Sequence, residues 1–165
     1  MSKKIGVYPG TFDPITIGHE DIILKALDVV DELIIAVAKD VTKNPIFSLE
    51  ERLDMVNSSI KNMNKSDKEI KAMSFTGLLV DFVKAQNSSL IIRGLRAVSD
   101  FEYEFQLSAM NAKLNDRIQT IFLPATEKTQ FIASRMVKEV AKLHGDVSGF
   151  VSPYVEKKLR LYYNS

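Results

Sequence analysis

Short β-branched apolar runs alternate with longer segments of helical periodicity along the whole chain. The runs Lys4–Tyr8, Glu32–Ala38, Ile70–Phe75, Leu90–Arg93 and Gln119–Leu123 are predicted as strands. Leu33 to Val37 and Leu90 to Ile92 are apolar at every position rather than at every second one, the pattern of strands buried on both faces. Start signals open helices between them. Ser48 with Glu51 reads as a capping box for a helix running to about Asn62, and Ser99 with Glu102 repeats the device. Ser152 followed by Pro153 reads as the cap and first turn of a C-terminal helix. Gly145 reads as the stop of the preceding helix, placed near Met136–Leu143. Strands separated by helices predict an α/β fold: a doubly wound, Rossmann-like five-stranded parallel sheet with helices on both faces. Residues 1–165 are expected to form one domain.

Composition narrows the partners. With 165 residues, 45% hydrophobic and 26% charged, the chain has ordinary globular proportions and is long enough to bury a sizeable core. Its 22 Lys and Arg against 21 Asp and Glu leave a net charge of +1, so no overall field favours nucleic acid or a membrane surface. Any anion site must be local. The absence of cysteine excludes disulfides, thiolate nucleophiles and Cys-ligated metals, and the two histidines, His19 and His144, do not make a histidine-rich metal site. The apolar run Leu33–Ala38 is far shorter than the ~20 residues that span a bilayer. Gly6, Pro9 and Gly10 interrupt the stretch after Lys3 and Lys4, so no signal peptide is read there and a cytoplasmic protein is expected.

Ligands of open parallel sheets bind outside the carboxyl ends of the strands, near the point where strand order reverses. After the first predicted strand, Gly10 and Gly18 flank a loop leading into a helix. Both allow close backbone approach, and the helix start offers free N–H groups and a positive dipole end. His19 in the first turn would aim a ring N–H at the same anion. A helix N-terminus lowers a histidine's pKa, which predicts a neutral donor rather than a fixed cation. The same spacing also reads as a Gly- and Pro-rich turn with an exposed histidine. After the second strand come Lys39, Asp40 and Lys43, where a lysine is ordinarily a solvated charge. After the fourth, Arg93 closes an apolar run, where a charge needs a partner or a ligand, and Gly94, Leu95 and Arg96 follow. Guanidinium groups suit phosphate. After the fifth, Pro124–Thr129 leads to Ile132–Arg135, a second helix start with hydroxyls and a basic side chain.

Together the strand ends predict a crevice for a phosphate-rich ligand. Neither G-x-x-x-x-G-K-[ST] nor a G-x-G-x-x-G after the first strand is present, which argues against a P-loop enzyme and an ordinary dinucleotide dehydrogenase. No nucleophile stands out: Ser134 has no histidine beside it in sequence, and His144 reads as a surface or capping residue. Glu102 and Glu104 read as a solvated face, for at least one of the two, alternating with buried Phe101, Tyr103 and Phe105.

Thr16-Ile17-Gly18-His19, preceded by Gly10-Thr11-Phe12-Asp13-Pro14, resembles the signature of the nucleotidyltransferase superfamily of α/β phosphodiesterases. Threonine at the tetrad's first position, Thr16, is usual in one branch, the bacterial phosphopantetheine adenylyltransferases. The stretch from Ile92-Arg93-Gly94-Leu95-Arg96 to Glu104, continuing to Gln106-Leu107 and Met110-Asn111, is similar to that family's most distinctive block. Lys43, Pro45 and Phe47 with Ser48-Leu49-Glu50-Glu51-Arg52, and Val137-Lys138-Glu139-Val140, match as well, so the resemblance covers nearly the full length.

The resemblance implies transfer of the adenylyl group of ATP to 4′-phosphopantetheine, giving dephospho-coenzyme A and pyrophosphate, the penultimate step of coenzyme A biosynthesis. By the same resemblance His19 stabilises the transition state, and Lys43 and Arg93 hold substrate phosphate. Thr11, Lys43, Leu79 and Arg93 are implied on the phosphopantetheine side. Thr11, Phe12, His19, Gly94, Leu95, Arg96 and Glu104 are implied on the ATP side, with Thr129, Gln130, Phe131, Ile132, Ala133, Ser134 and Arg135 at the triphosphate. Ala133 stands where the family commonly has serine, so a hydroxyl contact is expected to be lost unless that contact is through backbone N–H. Mg²⁺ is expected on the nucleotide, with no metal ligand from protein side chains. A homohexamer with coenzyme A as feedback inhibitor is implied, and no nucleic acid or membrane partner. The chemistry is compatible: a phosphate nucleophile is already ionised near neutral pH, so positioning and charge stabilisation carry the rate. The competing readings are a sister cytidylyltransferase or nicotinamide mononucleotide adenylyltransferase, and a non-catalytic adenine-nucleotide sensor using the same crevice.

Overall fold

In the computed structural model, which describes residues 1–42, 44–63 and 67–164, five strands lie side by side and parallel. They are β1 (Ile5–Gly10), β2 (Glu32–Ala38), β3 (Glu69–Phe75), β4 (Leu90–Leu95) and β5 (Gln119–Pro124), in the spatial order β3-β2-β1-β4-β5. The helices between and after them are α1 (Ile17–Leu27), α2 (Leu49–Met63), α3 (Leu79–Ala85), α4 (Val98–Leu114), α5 (Ser134–Lys142) and α6 (Pro153–Asn164). The doubly wound parallel sheet is as expected. Among the described residues no helix is long and apolar enough to cross a membrane.

Alternation along the strands sorts the core into two layers. Tyr8, Leu33, Ile35, Val37 and Ile92 join buried residues of α1, α2, α5 and α6. Their neighbours Val7, Ile34, Ala36 and Ile91 face the other way and pack with Val80 and Val83 of α3. Burial on both faces is why β2 and β4 read as unbroken apolar runs. Each fully buried Ile or Leu contributes roughly 1.5–3 kcal/mol.

The sheet's centre opens toward its carboxyl edge. β1 pairs with β2 from Ile5 to Gly10, and β4 with β5 from Leu90 to Leu95. Between them, β1 and β4 pair only at Gly6–Leu90 and Val7–Ile91. Strand order reverses at this pair, so the crevice predicted for a ligand opens where the ladder stops. Both strands run further than expected, to Gly10 and Leu95. Pro9 is tolerated because its carbonyl faces Arg93 (Nη1 to O 3.2 Å), on the side where a ladder N–H is no longer required.

The caps agree with expectation in part. Ser48 N–H donates to Glu51 Oε2 (2.9 Å) and Glu51 N–H to Ser48 Oγ (3.2 Å), completing the box that opens α2. Ser152 Oγ accepts from Val155 N–H (3.4 Å) at the start of α6. The second expected box does not form: Ala97 is the extended N-cap of α4 and Ser99 already lies inside the helix. The stop of α5 also shifts by one residue. His144 adopts the left-handed conformation (φ 59°), while its N–H bonds Ala141 O (3.0 Å) and Gly145 N–H bonds Val140 O (2.9 Å). Gly145 is needed for closeness instead, since a Cβ there would lie 2.6 Å from Val140 Cγ1.

α4 inverts its expected pattern. Glu102 is exposed as read, but Glu104 is buried and the aromatics face outward: Phe101, Tyr103 and Phe105 are 45%, 63% and 57% exposed. The carboxylate goes inward because Arg93, on the same face of β4 as Ile91, waits there for a counter-charge.

Leu159 of α6 is fully buried in the larger core layer. Leu159→Ala is expected to lower stability by about 2–5 kcal/mol, read as a reduced urea midpoint at unchanged m-value.

Candidate active site

The loop after β1 turns sharply. Phe12 holds a left-handed conformation (φ 51°), strained for a residue with a side chain, and its buried ring packs edge-on against Tyr8 (5.5 Å) and beside His19 (5.0 Å). A Cβ on Gly10 would come within 2.9 Å of that ring, so glycine is required for the fold-back. Phe12, expected to touch ATP, therefore spends its ring on the interior and leaves its backbone to the crevice. Thr11 next to it is exposed.

Thr16 caps α1. Its Oγ1 accepts from His19 N–H (3.4 Å), and its own N–H donates to His19 Nδ1 (3.0 Å). An imidazole nitrogen that accepts an N–H carries no proton, so the neutral ring presents Nε2–H as donor. Burial lowers the His19 pKa to about 4, with the charges of Arg96 and then Arg93 adding to the effect. The expected neutral donor is present, and its cause is burial beside two guanidiniums. The imidazole thus lies close to both arginines that sequence spacing assigned to the same crevice.

Arg93 grips Glu104 through two parallel bonds, Nε to Oε2 (2.7 Å) and Nη2 to Oε1 (2.6 Å). Burial alone would lower the Arg93 pKa, but the hydrogen bonds and charge of Glu104 raise it above the ordinary value. Arg96 is exposed, pairs with Asp100 (3.6 Å) and donates to Ile132 O (3.3 Å). Gly94 lets β4 lie against α1, where a Cβ would meet Ile22 at 2.8 Å, and Leu95 O accepts Ala125 N–H (2.8 Å).

The segment after β5 folds onto the start of α1. A Cβ on Gly18 would stand 3.3 Å from Ile132 O. Asp21 accepts from Thr126 N–H (3.0 Å) and Thr129 Oγ1 (3.1 Å), and these bonds with Lys25 outweigh burial to hold its carboxyl below the usual range. Thr129 and Ile132 are buried, whereas Gln130, Phe131 and Arg135 are exposed. Ser134 Oγ donates to Pro14 O (2.8 Å), tying α5 to the first loop. Ala133 is the N-cap of α5 and makes no side-chain cap, so only backbone N–H groups serve an anion at that position.

Thr11, Phe12, His19, Arg93, Gly94, Leu95, Arg96, Glu104 and the 129–135 segment thus gather at one edge of the sheet. Leu79 opens α3 at the carboxyl end of β3 and packs, partly buried, against the smaller core layer. Lys43 lies outside the described residues. His144 is the turn residue described above. Among the described residues no group of three or more His, Asp or Glu side chains could hold a metal ion. Spacing alone missed Asp13, Asp21 and Arg52. Arg52 left a trace, since it shares a buried stripe with Met55, Val56 and Ser59 at helical spacing, an odd place for a charge.

Comparison with known proteins identifies the family. The cytidylyltransferase-like family matches residues 7–140. A phosphopantetheine adenylyltransferase of Wolbachia pipientis subsp. Culex pipiens (strain wPip) is 57% identical over 159 residues, 96% of this chain and 93% of the relative. That of Rhodospirillum rubrum is 50% identical over 158 residues, 96% of this chain and 92% of the relative. The chain belongs to the phosphopantetheine adenylyltransferase family. The fold is shared more widely than the family. A Plasmodium falciparum nicotinic acid mononucleotide adenylyltransferase complexed with APC superposes with a TM-score of 0.69 at 20% identity, covering 99% of this chain and 96% of that one. In this phosphopantetheine adenylyltransferase family member the Arg93–Glu104 pair lies within the block that the sequence resemblance singled out.

A folded-state pKa of about 4 against 6.5 for the free side chain keeps His19 neutral at neutral pH. The ring is expected to show no NMR titration between pH 6 and 8. Because its folded pKa is depressed, its contribution to stability is complete above the unfolded value. That contribution is lost as pH falls from there through about 4. His19→Gln is expected to flatten that part of the stability–pH curve.

Proposed function

We propose that the chain transfers the adenylyl group of ATP to 4′-phosphopantetheine, releasing pyrophosphate and forming dephospho-coenzyme A. The observation that carries this is the neutral His19, its Nδ1 tied to Thr16 N–H, set beside Arg93 and Arg96 at the switch point of the sheet. Family membership supports the choice of acceptor.

An oxygen of the acceptor's phosphate attacks the α-phosphorus of ATP in line. The new P–O bond forms as the bond to the β-phosphate oxygen breaks, and the electron pair leaves with pyrophosphate. The nucleophile is ionised near neutral pH, so no protein base has to remove a proton. What the residues supply is position and charge. His19 Nε2–H donates to an α-phosphate oxygen, where charge grows without a third cation beside the two arginines. The start of α1 adds its N–H groups. Arg93 and Lys43 hold the acceptor's phosphate, with Thr11 orienting both substrates and Leu79 beside the pantetheine arm. Arg96, the Gly94–Leu95 backbone and the segment from Thr129 to Arg135 hold the nucleotide, and Glu104 serves through Arg93.

Mg²⁺ fits this site as a companion of the triphosphate. Asp21, the carboxylate beside the 126–129 turn, is already engaged by Thr126, Thr129 and Lys25. When bound, the ion neutralises part of the charge on the leaving pyrophosphate.

We also assign the protein to the cytoplasm, as a homohexamer inhibited by coenzyme A, which shares the pantetheine arm of the acceptor. The outward apolar face of α4, with Phe105, Met110 and Leu114 all more than half exposed, supports self-association. Sedimentation velocity is expected to give the mass of six chains, and a monomer would overturn that assignment.

Pyrophosphate release is expected with ATP and 4′-phosphopantetheine and not with nicotinamide mononucleotide; the reverse would make the chain a sister transferase. ATP binding without turnover on any acceptor would make it a sensor. Removing one preorganised donor costs about 3–4 kcal/mol in acyl transfer, so His19→Ala should lose a hundredfold or more in kcat while retaining ATP binding. Near-normal turnover would remove His19 from its role.

A further inference from the structure

Two buried ions lie beneath the first loop, and the mechanism uses neither. Arg52, in the first turns of α2, is 2% exposed, and among the described residues no carboxylate forms an ion pair with it. Its hydrogens go to backbone carbonyls instead. Nη1 bridges Thr11 O (2.8 Å) and Ala38 O (2.9 Å), and Nε reaches Phe47 O (3.2 Å). Asp13, 4% exposed, completes the arrangement from the other side. It accepts from Ile46 N–H on Oδ2 (3.0 Å), Phe47 N–H on Oδ1 (3.0 Å) and Lys138 Nζ on Oδ2 (2.8 Å).

These contacts share a destination. Ala38 ends β2, and Ile46 and Phe47 precede α2, so Arg52 and Asp13 tie both of these points to the loop that bears Thr11. A solvated loop needs no such fastening. Burying a guanidinium with no ion-pair partner is costly, and burial does lower the Arg52 pKa against the opposing charge of Asp13. An apolar residue in the same helical stripe would spare that cost but would leave three carbonyls from three segments unpaired.

We propose that Arg52 and Asp13 are positioning residues, a buried clamp that holds Thr11, the end of β2 at Ala38 and the Ile46–Phe47 turn in register for the acceptor's phosphate. The proposal rests on the proposed function for what these points serve, because the acceptor roles of Thr11 and Lys43 come from that reading. Apart from Thr11, which faces both substrates, the nucleotide side does not touch Arg52: Arg96, Asp21 and Thr129 share no bond with it. Disturbing Arg52 should therefore weaken the acceptor more than ATP. Lys138 brings α5 to the same carboxylate, so Asp13 also couples the clamp to the helix that starts at Ser134.

Arg52→Lys keeps the charge and loses the rigid fork. Its KM for 4′-phosphopantetheine is expected to rise about tenfold or more, the scale of one lost charge-assisted hydrogen bond, with KM for ATP within about threefold of wild type. Hydrogen exchange on the ligand-free protein gives a readout independent of activity. In Asp13→Asn and in Arg52→Lys, the Ile46 and Phe47 amides should exchange about tenfold faster or more, while amides of Glu32–Ala38 stay protected. Unchanged exchange at Ile46 and Phe47 overturns the clamp. So does acceleration spread evenly over the sheet, or a fall in kcat with both KM values unchanged, since each marks a merely structural role. If Arg52→Lys does not fold, Asp13→Asn carries the exchange measurement. If the wild-type protein turns over no acceptor, the functional reading fails, and the exchange pattern still decides whether the clamp exists.

Discussion

β1 and β4 stay zipped to their outer neighbours along most of their length but share only two register pairs with each other. Backbone groups released by such a split must find other partners, and here they find side chains. Pro9 removes one donor from the problem and turns its carbonyl to Arg93. Arg93 in turn draws Glu104 inward from α4, although helical patterning would have left that carboxylate in water. The crevice therefore exists because the ladder stops. Its electrostatic character follows from the groups recruited to finish the strand ends.

The charges of the site differ in how they are held. Arg93 has five N–H donors, and Glu104 with Pro9 O fixes three of them, which orients the fork and leaves donors for an incoming anion. Arg96 is nearer to solvent and steadied by Asp100 and Ile132 O. Between these, a cationic imidazole would add a third like charge in a poorly solvated position. The protein avoids it by half-burying His19 and giving its Nδ1 a backbone N–H to accept. The result is a donor that strengthens with charge on a phosphate oxygen and costs little when the crevice is empty. Preorganisation of this kind suits phosphoryl chemistry, where the protein has no covalent step to perform.

Local signals carried most of the fold. The unbroken apolar runs marked β2 and β4, and the Ser48–Glu51 pair opened α2 where it was expected. The Ser99–Glu102 pair misled because a capping serine needs extended backbone, and Ala97 had already taken that role. At the site, His19 and Arg93 were legible because strand ends are where chemistry collects in this architecture. Asp13 and Arg52 were not, since their partners are backbone groups 33 (Asp13 to Ile46) and 41 (Arg52 to Thr11) residues away. No periodicity encodes a side chain whose partner is a distant carbonyl. Phe12 shows a different limit: its place in the motif is plain, but only the left-handed turn reveals that its ring belongs to the interior.

α4 links the site to the outer surface. Among its described side chains only Glu104 is buried, and an aromatic contact of Phe101 with Phe122 (5.8 Å) adds to its hold on the sheet. A seventeen-residue helix attached largely through one ion pair has little of its own burial to stabilise it. Its apolar residues point outward, where another copy of the chain would cover them in the proposed assembly. Under that reading, association does more than hide Phe105 and Met110. It holds α4 against the sheet, which keeps Glu104 on Arg93 and so keeps the fork aimed into the crevice. Catalytic order and assembly would then share one helix, with the buried carboxylate as the point of contact between them.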